Sequence, residues 1–448
     1  MGNKRFKDPI YGYVEIEEKL VSQVVDTEVF QRLRDIIQTS YSPLYSSAVH
    51  NRFVHSIGVY HLGKIAVGSF RKTMKNNPSH VFQYIDIFEL ACLLHDVGHA
   101  PFSHTGEKFY LYNGERTQLH KTIIDLTKDT ELEKEISDNS YKAAPHELMS
   151  VIVSLHAFPD LIKENKRAFF ARCITGYKYT RNMDVNKRCM NCLIELLNSK
   201  IIDVDKMDYL IRDSYVAGFD TVSIDYVRLL HSICVVENEG DYKICFDKSA
   251  VSVIENVVYA HDTERKWIQN HPTVLYEAYL IENAMQQVIE QILKSENLSE
   301  KFLSFDGVDV DKVGKIRLMG DSDIIYLMKN LEKDDLTKEY YMRKYRKHPL
   351  WKTEAEFQAI FQGEETKLEI IENEFIELKK YLNSLGLPFI INEEALRAGE
   401  AEIQKIKDKM KTVADSEKEK LQATLDANKV HIMWLKVFEK FAQNNQDK

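Results

Sequence analysis

The chain has 448 residues with only 17 glycines and nine prolines, about half the ~12% these residues usually contribute, which argues against a barrel, sandwich or propeller of many short strands. Acids outnumber bases 69 to 60, for a net charge of −9, so a globally basic nucleic-acid coat is excluded. At 44% hydrophobic residues the chain can bury a sizeable core and is not a disordered polymer.

No apolar run reaches the ~20 residues needed to span a bilayer. The opening Met1-Gly2-Asn3-Lys4-Arg5-Phe6 lacks the apolar stretch of a secretory leader. The expectation is a cytoplasmic protein with no membrane partner. Six cysteines are too few for a disulfide framework, and Cys189 and Cys192 form a lone CxxC without a second pair, which reads as buried thiols. Of 15 histidines, ten fall between His50 and His156. That crowding is the compositional anomaly.

In chain order, Asp8 to Ile16 reads as a hairpin turning at Gly12. A helix is expected to begin near Asp26, which can cap it, with Val29, Leu33, Ile36 and Ile37 at helical spacing. A second helix spans Asn51 to about Met74. Ile85 to Asp96 is strongly apolar and reads as a buried helix that Gly98 and Pro101 stop, leaving His99 and His104 on or beside a loop. Ile201 to Val216 is helical, and Asp205, Asp208, Tyr209 and Arg212 share one face. Ile233–Val236 and Tyr242–Phe246 flank Asn238-Glu239-Gly240 as a second hairpin. Two helices follow, split at Pro272. Beyond about residue 300 the chain is more polar, and 399–429 reads as an amphipathic helical hairpin through Ile403, Ile406, Met410, Val413, Leu421 and Leu425.

His95-Asp96 ends the apolar helix, where polar groups in low dielectric need partners. A divalent cation would supply one. His55 on an earlier helix and Asp205 on a later one complete a set of two imidazoles and two carboxylates, which suits Mn, Fe, Zn, Ni or Mg.

Five segments carry a resemblance in order: Asp26–Arg34 (DTEVFQRLR), His50–Gly58 (HNRFVHSIG), Leu94–His104 (LHDVGHAPFSH), Pro145–Glu147 (PHE) and Asp203–Asp213 (DVDKMDYLIRD). Together the sequence resembles the HD-domain metal-dependent phosphohydrolases and, within them, the deoxynucleoside triphosphate triphosphohydrolases. The resemblance covers roughly residues 8–290. It implies a mainly α fold: an HD-domain helical core with a small β-hairpin, at 1–295, and a C-terminal, mostly helical extension for regulation or oligomerisation, at 296–448. It implies His55, His95, Asp96 and Asp205 as metal ligands, and dNTP plus water giving deoxynucleoside and inorganic triphosphate.

Further roles follow from the same resemblance. Arg52, Lys206 and Tyr209 would bind phosphate, with Tyr209 also flooring the sugar. Asp213 and Gln38 would bind the 3′-hydroxyl. His104 or His146 would be the general acid, with His99 beside them and Glu107 and Glu147 as orienting carboxylates. His261 stands where the family has a phosphate-binding Arg, Gln269 where some members have Tyr, and His271 is retained. Asp26, Gln31 and Arg34, with Lys248, match a site for an activating guanine nucleotide or dNTP, and a dimer or tetramer is implied. Arg343-Lys344-Tyr345-Arg346-Lys347-His348 reads as a solvated basic face; the same interleaving of bases with an aromatic suits a nucleotide or single-stranded nucleic acid. Other readings are an HD phosphohydrolase with a different nucleotide substrate and a nucleotide- or nucleic-acid-binding regulator with a vestigial site.

Overall fold

The computed structural model describes residues 2–39, 44–74, 80–110, 115–138, 143–219, 223–293, 302–310 and 314–343. It also describes parts of 355–384, and then 393–411 and 415–444. The chain divides into two compact units, Met1–Tyr345 and Arg346–Lys448. Among the described residues the fold is mainly α with three two-stranded antiparallel sheets.

The first unit opens with the hairpin Asn3–Asp8/Gly12–Glu17. Its turn is held by Asp8, whose Oδ1 accepts from the amides of Ile10 and Tyr11 at 2.8 and 3.0 Å, the Asx geometry that favours such turns. The helix expected near Asp26 begins at Glu28, and its cap is Thr27, whose Oγ1 accepts from Phe30 N. Thr27 prevails over Asp26 because Asp26 closes the preceding 21–25 turn instead.

The central element is the helix Arg52–Thr73, capped by Asn51, whose side chain accepts from Val54 N. Fourteen of its 22 residues are buried, so it is enclosed by neighbours rather than laid on a surface. The helices Ile85–Leu94 and Val204–Ala217 and the hairpin Ile233–Asn238/Asp241–Phe246 all pack against it. Gly58 permits one of these contacts: a Cβ there would lie 1.9 Å from Asp208 Oδ1. The second hairpin turns through Glu239 and Gly240, both at positive φ, as a two-residue turn with right-handed strand twist requires.

Val204–Ala217 starts at Asp203, which accepts from Lys206 N, and stops at Gly218 in the left-handed conformation. Val251–Glu264 and Pro272–Val288 are separate helices, as the proline at the first helical position of the second demands.

Residues on the C-terminal side of 295 also pack into this unit. Phe302, Met319, Leu327 and Met328 join its core, and buried Arg32 donates to the carbonyls of Leu318 and Met319 at 3.1 and 2.8 Å. In the second unit the helices Glu393–Met410 and Asp415–Asn444 pack together, with a small cluster of Leu378, Leu382, Ala395 and Leu435. Ile406 and Leu425 are buried as the amphipathic pattern requires; Val413 lies outside the described residues. No described helix is long and apolar enough to cross a membrane.

One glycine positions the site directly. A Cβ on Gly98 would lie 2.1 Å from Ser150 N and 2.4 Å from Met149 C, so only glycine lets the 95–103 loop meet the helix Pro145–Ala157. Gly98→Ala is expected to lower unfolding stability by about 3 kcal/mol. Gly68→Ala, on the central helix with nothing within 4 Å, should raise it by about 0.5–1 kcal/mol. Urea unfolding of the two variants checks both signs.

Candidate metal centre

His55 and Arg52 come from the first turn of the central helix, His95 and Asp96 from the end of Ile85–Leu94, and Asp205 from the first turn of Val204–Ala217. Their side chains converge. His55 Nε2 and His95 Nε2 are 3.2 Å apart. Asp205 Oδ1 lies 3.0 Å from the first and 3.5 Å from the second. Asp96 reaches His55 Nε2 at 3.5 Å and His95 Nε2 at 3.4 Å. His55, His95 and Asp205 can each offer a ligand atom within 4.8 Å of the others.

The chemistry of this donor set fits a cation. Each histidine donates its other ring nitrogen: His55 Nδ1 to Asp208 at 2.8 Å and His95 Nδ1 to the Cys92 carbonyl at 3.0 Å. In the neutral rings both Nε2 lone pairs then face inward and cannot bond each other. Burial opposes a charge on His55, but hydrogen bonds to Asp205 and Asp208 and the nearby Asp96 overcome it and raise its pKa to about 10. The site therefore demands positive charge, which a metal ion or the histidine's own proton can supply. Burial also works against ionised Asp205 and Asp96. The two histidines nonetheless hold Asp205 well below the usual carboxylate range, and Arg52, then His95 and His99, do the same for Asp96. Asp205 is the open edge, with 34% of its side chain exposed against 2% for Asp96.

Behind His55 stands a layer that the sequence motifs did not assign. Arg212 donates twice to Asp208, from Nε and NH2 at 2.9 Å each, Tyr11 Oη donates to Asp208 Oδ1 at 2.7 Å, and Arg212 NH1 donates to Asp8 at 3.0 Å. The available signal was that Asp208 and Arg212 share the helical face of Asp205. Nothing local pointed to Tyr11 or Asp8.

A second cluster adjoins the first. Glu107 Oε1 lies 2.7 Å from His104 Nδ1, 3.0 Å from His146 Nδ1 and 3.2 Å from His99 Nδ1. His99 stacks on His146 with centroids 4.1 Å apart and rings 11° from parallel, and His99 Nε2 is 3.2 Å from Asp96 Oδ1. Burial, then the Arg52 and His146 cations, push the His99 pKa down to about 3. Burial disfavours the His146 cation, but Glu107 outweighs it and raises the pKa to about 9. His104 is the exposed member, at 56%. Glu147, expected to orient His146, directs its carboxylate elsewhere: to Ala144 N at 2.6 Å and Asn198 Nδ2 at 2.8 Å. It caps its helix, and Glu107 takes the orienting position.

Arg52 links the clusters. It donates to Asp96 at 2.8 Å, Ser103 Oγ at 3.0 Å and the Gln38 carbonyl at 3.2 Å, and its NH2 is 3.4 Å from His104 Nε2. Lys206 is held by Asp203 at 2.7 Å and the Ser199 carbonyl at 2.9 Å. Tyr209 is half-buried, one turn from Asp205. Asp213 is buried, with its Oδ1 2.6 Å from His50 Nε2. Burial, then the Asp213 carboxylate, push the nearby Glu264 carboxyl well up. Gln38 is buried, and its Oε1 has no hydrogen-bond partner among the described residues.

His261 is half-buried on Val251–Glu264. His271 caps the helix that follows it, its Nδ1 accepting from Thr273 N at 3.2 Å. Away from the two clusters, Gln31 Oε1 accepts from Arg34 Nε at 2.9 Å, Arg34 lies over the Phe53 ring, and Asp26 pairs with Lys4 at 3.5 Å. Of the basic run 343–348, Arg343 pairs with Glu277 and the rest lies outside the described residues.

Residues 52–192 match the HD domain family, a stretch that contains His55, His95 and Asp96. The chain is similar to an uncharacterized protein of Mycoplasma genitalium, at 30% identity over 56% of this chain and 52% of that protein. It is also similar to the deoxynucleoside triphosphate triphosphohydrolase SAMHD1 of Bos taurus, at 28% identity over 62% of this chain and 47% of the relative. The chain thus spans about half the length of the curated relatives it matches. A crystal structure of a hypothetical protein from Aquifex aeolicus shares the fold, with a TM-score of 0.54 at 23% identity over 83% of this chain and 82% of that one.

Two measurements test the electrostatics. Asp208→Asn is expected to weaken divalent-metal binding by about 10–100-fold, read by competition against a chelator. His146 has a folded pKa of about 9 against ~6.5 unfolded. Its stabilisation is therefore complete below pH ~6.5 and lost as pH rises through 9. The stability advantage of the wild type over His146→Gln should shrink by up to about 3 kcal/mol across that window, measured by urea unfolding in chelating buffer.

Proposed function

We propose that this chain, an HD-domain protein of the metal-dependent phosphohydrolases, hydrolyses deoxynucleoside triphosphates to deoxynucleoside and inorganic triphosphate. The observation that carries the reading is the convergence of His55, His95, Asp96 and Asp205 beside a proton-handling cluster that shares Asp96 through His99. The similarity to SAMHD1 sequences supports the choice of substrate.

A divalent ion held by the quartet would polarise a phosphoryl oxygen and acidify a water. The chain's own residues do the rest. His104 is the general acid for the departing 5′ oxygen. Its Nδ1 is fixed by Glu107 at 2.7 Å, which orients Nε2, and its exposure lets it recover a proton from solvent. His146 keeps its proton through the neutral range and gives the cluster a standing positive charge. Arg52 supplies a guanidinium beside the ligand Asp96, suited to a phosphate oxygen. Asp213 and Gln38 Oε1, which has no partner among the described residues, are acceptors for a sugar hydroxyl, and Tyr209 floors the sugar.

The second reading is an HD phosphohydrolase for another nucleotide. The observation favouring it is Lys206, engaged by Asp203 and the Ser199 carbonyl, which removes one expected phosphate cation. Activation by GTP or a dNTP at Asp26, Gln31 and Arg34, and a homodimer or homotetramer, complete the proposal. A regulatory or oligomerising role for the C-terminal extension expected at 296–448 belongs with it, with the first part of that stretch packed into the first unit.

The test is incubation of metal-loaded protein with each dNTP, with and without GTP, and identification of the phosphate product by 31P NMR. Inorganic triphosphate is expected. Pyrophosphate or orthophosphate moves the assignment to the second reading. Tight nucleotide binding without turnover indicates a regulator. Asp96→Ala is expected to lose metal and turnover to background while keeping its helical circular dichroism; retained turnover rules out the quartet.

A further inference from the structure

The loop that carries His99, Ser103 and His104 contains two consecutive non-glycine residues at positive φ, Phe102 at 60° and Ser103 at 51°. Such residues persist only where their surroundings fix them. Three contacts do so. Arg32 NH2 donates to the His99 carbonyl at 2.8 Å. Ser103 Oγ donates to the Ile37 carbonyl at 2.5 Å and accepts from Arg52 Nε at 3.0 Å. The third comes from far along the chain. Asp321 Oδ1 accepts from Phe102 N at 2.6 Å, and Asp321 Oδ2 accepts from Ile37 N at 3.0 Å.

These contacts close a ring. Asp321 binds the amides of Phe102 and Ile37, and the Ile37 carbonyl binds the hydroxyl of Ser103, the residue after Phe102. One carboxylate, 3% exposed at the start of the helix Asp321–Lys329, therefore ties together the loop bearing His104 and the segment bearing Gln38. Ser103 in turn holds the guanidinium that grips Asp96.

We propose that Asp321 is a positioning residue of the active site, a clamp that holds the Phe102–Ser103 turn against Ile37 so that His104 and Arg52 stand in working register. The clamp is a matter of chain geometry; that it serves turnover rests on the functional reading above. The bidentate arrangement needs a carboxylate. An asparagine has one acceptor oxygen, and its amide would face the second backbone N–H. The competing explanation is that Asp321 merely docks its helix. Ser322 separates the two, because its Oγ bonds Asp35 at 2.5 Å at the same helix start without touching the loop.

The experiment compares full-length, metal-loaded wild type, Asp321→Asn and Ser322→Ala by amide hydrogen exchange and steady-state kinetics. In Asp321→Asn, exchange at Ile37 and in 100–104 is expected to rise about tenfold with the helix Ile85–Leu94 unchanged. Its kcat should fall about tenfold or more at unchanged metal content. Ser322→Ala should change neither. Unchanged exchange in Asp321→Asn overturns the clamp, as does an equal rise in Ser322→Ala. Faster exchange with an unchanged kcat overturns the positioning role. If the wild type turns over no nucleotide, the functional reading fails, and the exchange comparison still decides whether the clamp exists.

Discussion

Two imidazole nitrogens held 3.2 Å apart, with their lone pairs facing, are the constraint from which most of the first unit follows. Such a pair is tolerable only with a positive charge between or upon them. The chain surrounds them with carboxylates that need that charge as well. Asp208 must stay ionised to orient His55, so Arg212 must neutralise Asp208, and Asp8 and Tyr11 must fix that pair. Each of these groups is buried, and a buried ion pair offsets its desolvation only when its geometry is good and its remaining hydrogen bonds are made. The N-terminal hairpin is thus tied to the candidate metal centre by electrostatics rather than by chain proximity.

The same logic divides the second cluster. Three imidazoles share the single Glu107 oxygen, so they cannot all carry charge. Burial, then Arg52 and the His146 cation, disfavour a proton on His99, while Glu107 overcomes burial to favour one on His146. Parallel stacking at 4.1 Å is acceptable between a neutral ring and a charged one and costly between two cations. His104, tilted away and exposed, is left as the member that can exchange protons with water. The close approach of the two chain segments that makes this stack rests on Gly98.

Local signals made the helices legible. Asn51, Asp203 and Pro272 stand at the helix starts that their chemistry favours, and Glu239-Gly240 fixes the second hairpin. His95-Asp96 was readable as a candidate ligand pair because it ends an apolar helix, and the family resemblance strengthened His55 and Asp205 as its partners. What stayed hidden joins distant parts of the chain. Tyr11 and Asp208 are 197 residues apart, and Phe102 and Asp321 are 219. Asp321 sits in a polar stretch, Gly-Asp-Ser-Asp, that reads as an exposed helix start. Only the fold turns its side chain inward. Glu147 failed for the opposite reason: a local competitor, the free amide of Ala144 three residues back, takes the carboxylate that the motif assigned to His146.

The net charge of −9 leaves the grip on any anionic substrate to locally placed cations. Arg32, Arg52, Arg172 and Arg212 are all buried, each held by carboxylates or carbonyls. Eleven carboxylic residues are buried among the described residues as well, so much of the formal negative excess lies inside the fold, paired with those arginines and the site histidines, while the charges that face solvent are screened by salt over about 8–10 Å. Charges inside the site are screened far less. Field at a bound phosphate would then be set by Arg52, His146 and whatever cation the quartet holds. Every one of those positive groups already has a carboxylate partner in Asp96, Glu107 or Asp205. A phosphate that enters must share them, so its grip depends on how firmly the ring through Ser103, Ile37 and Asp321 keeps Arg52 turned toward the centre.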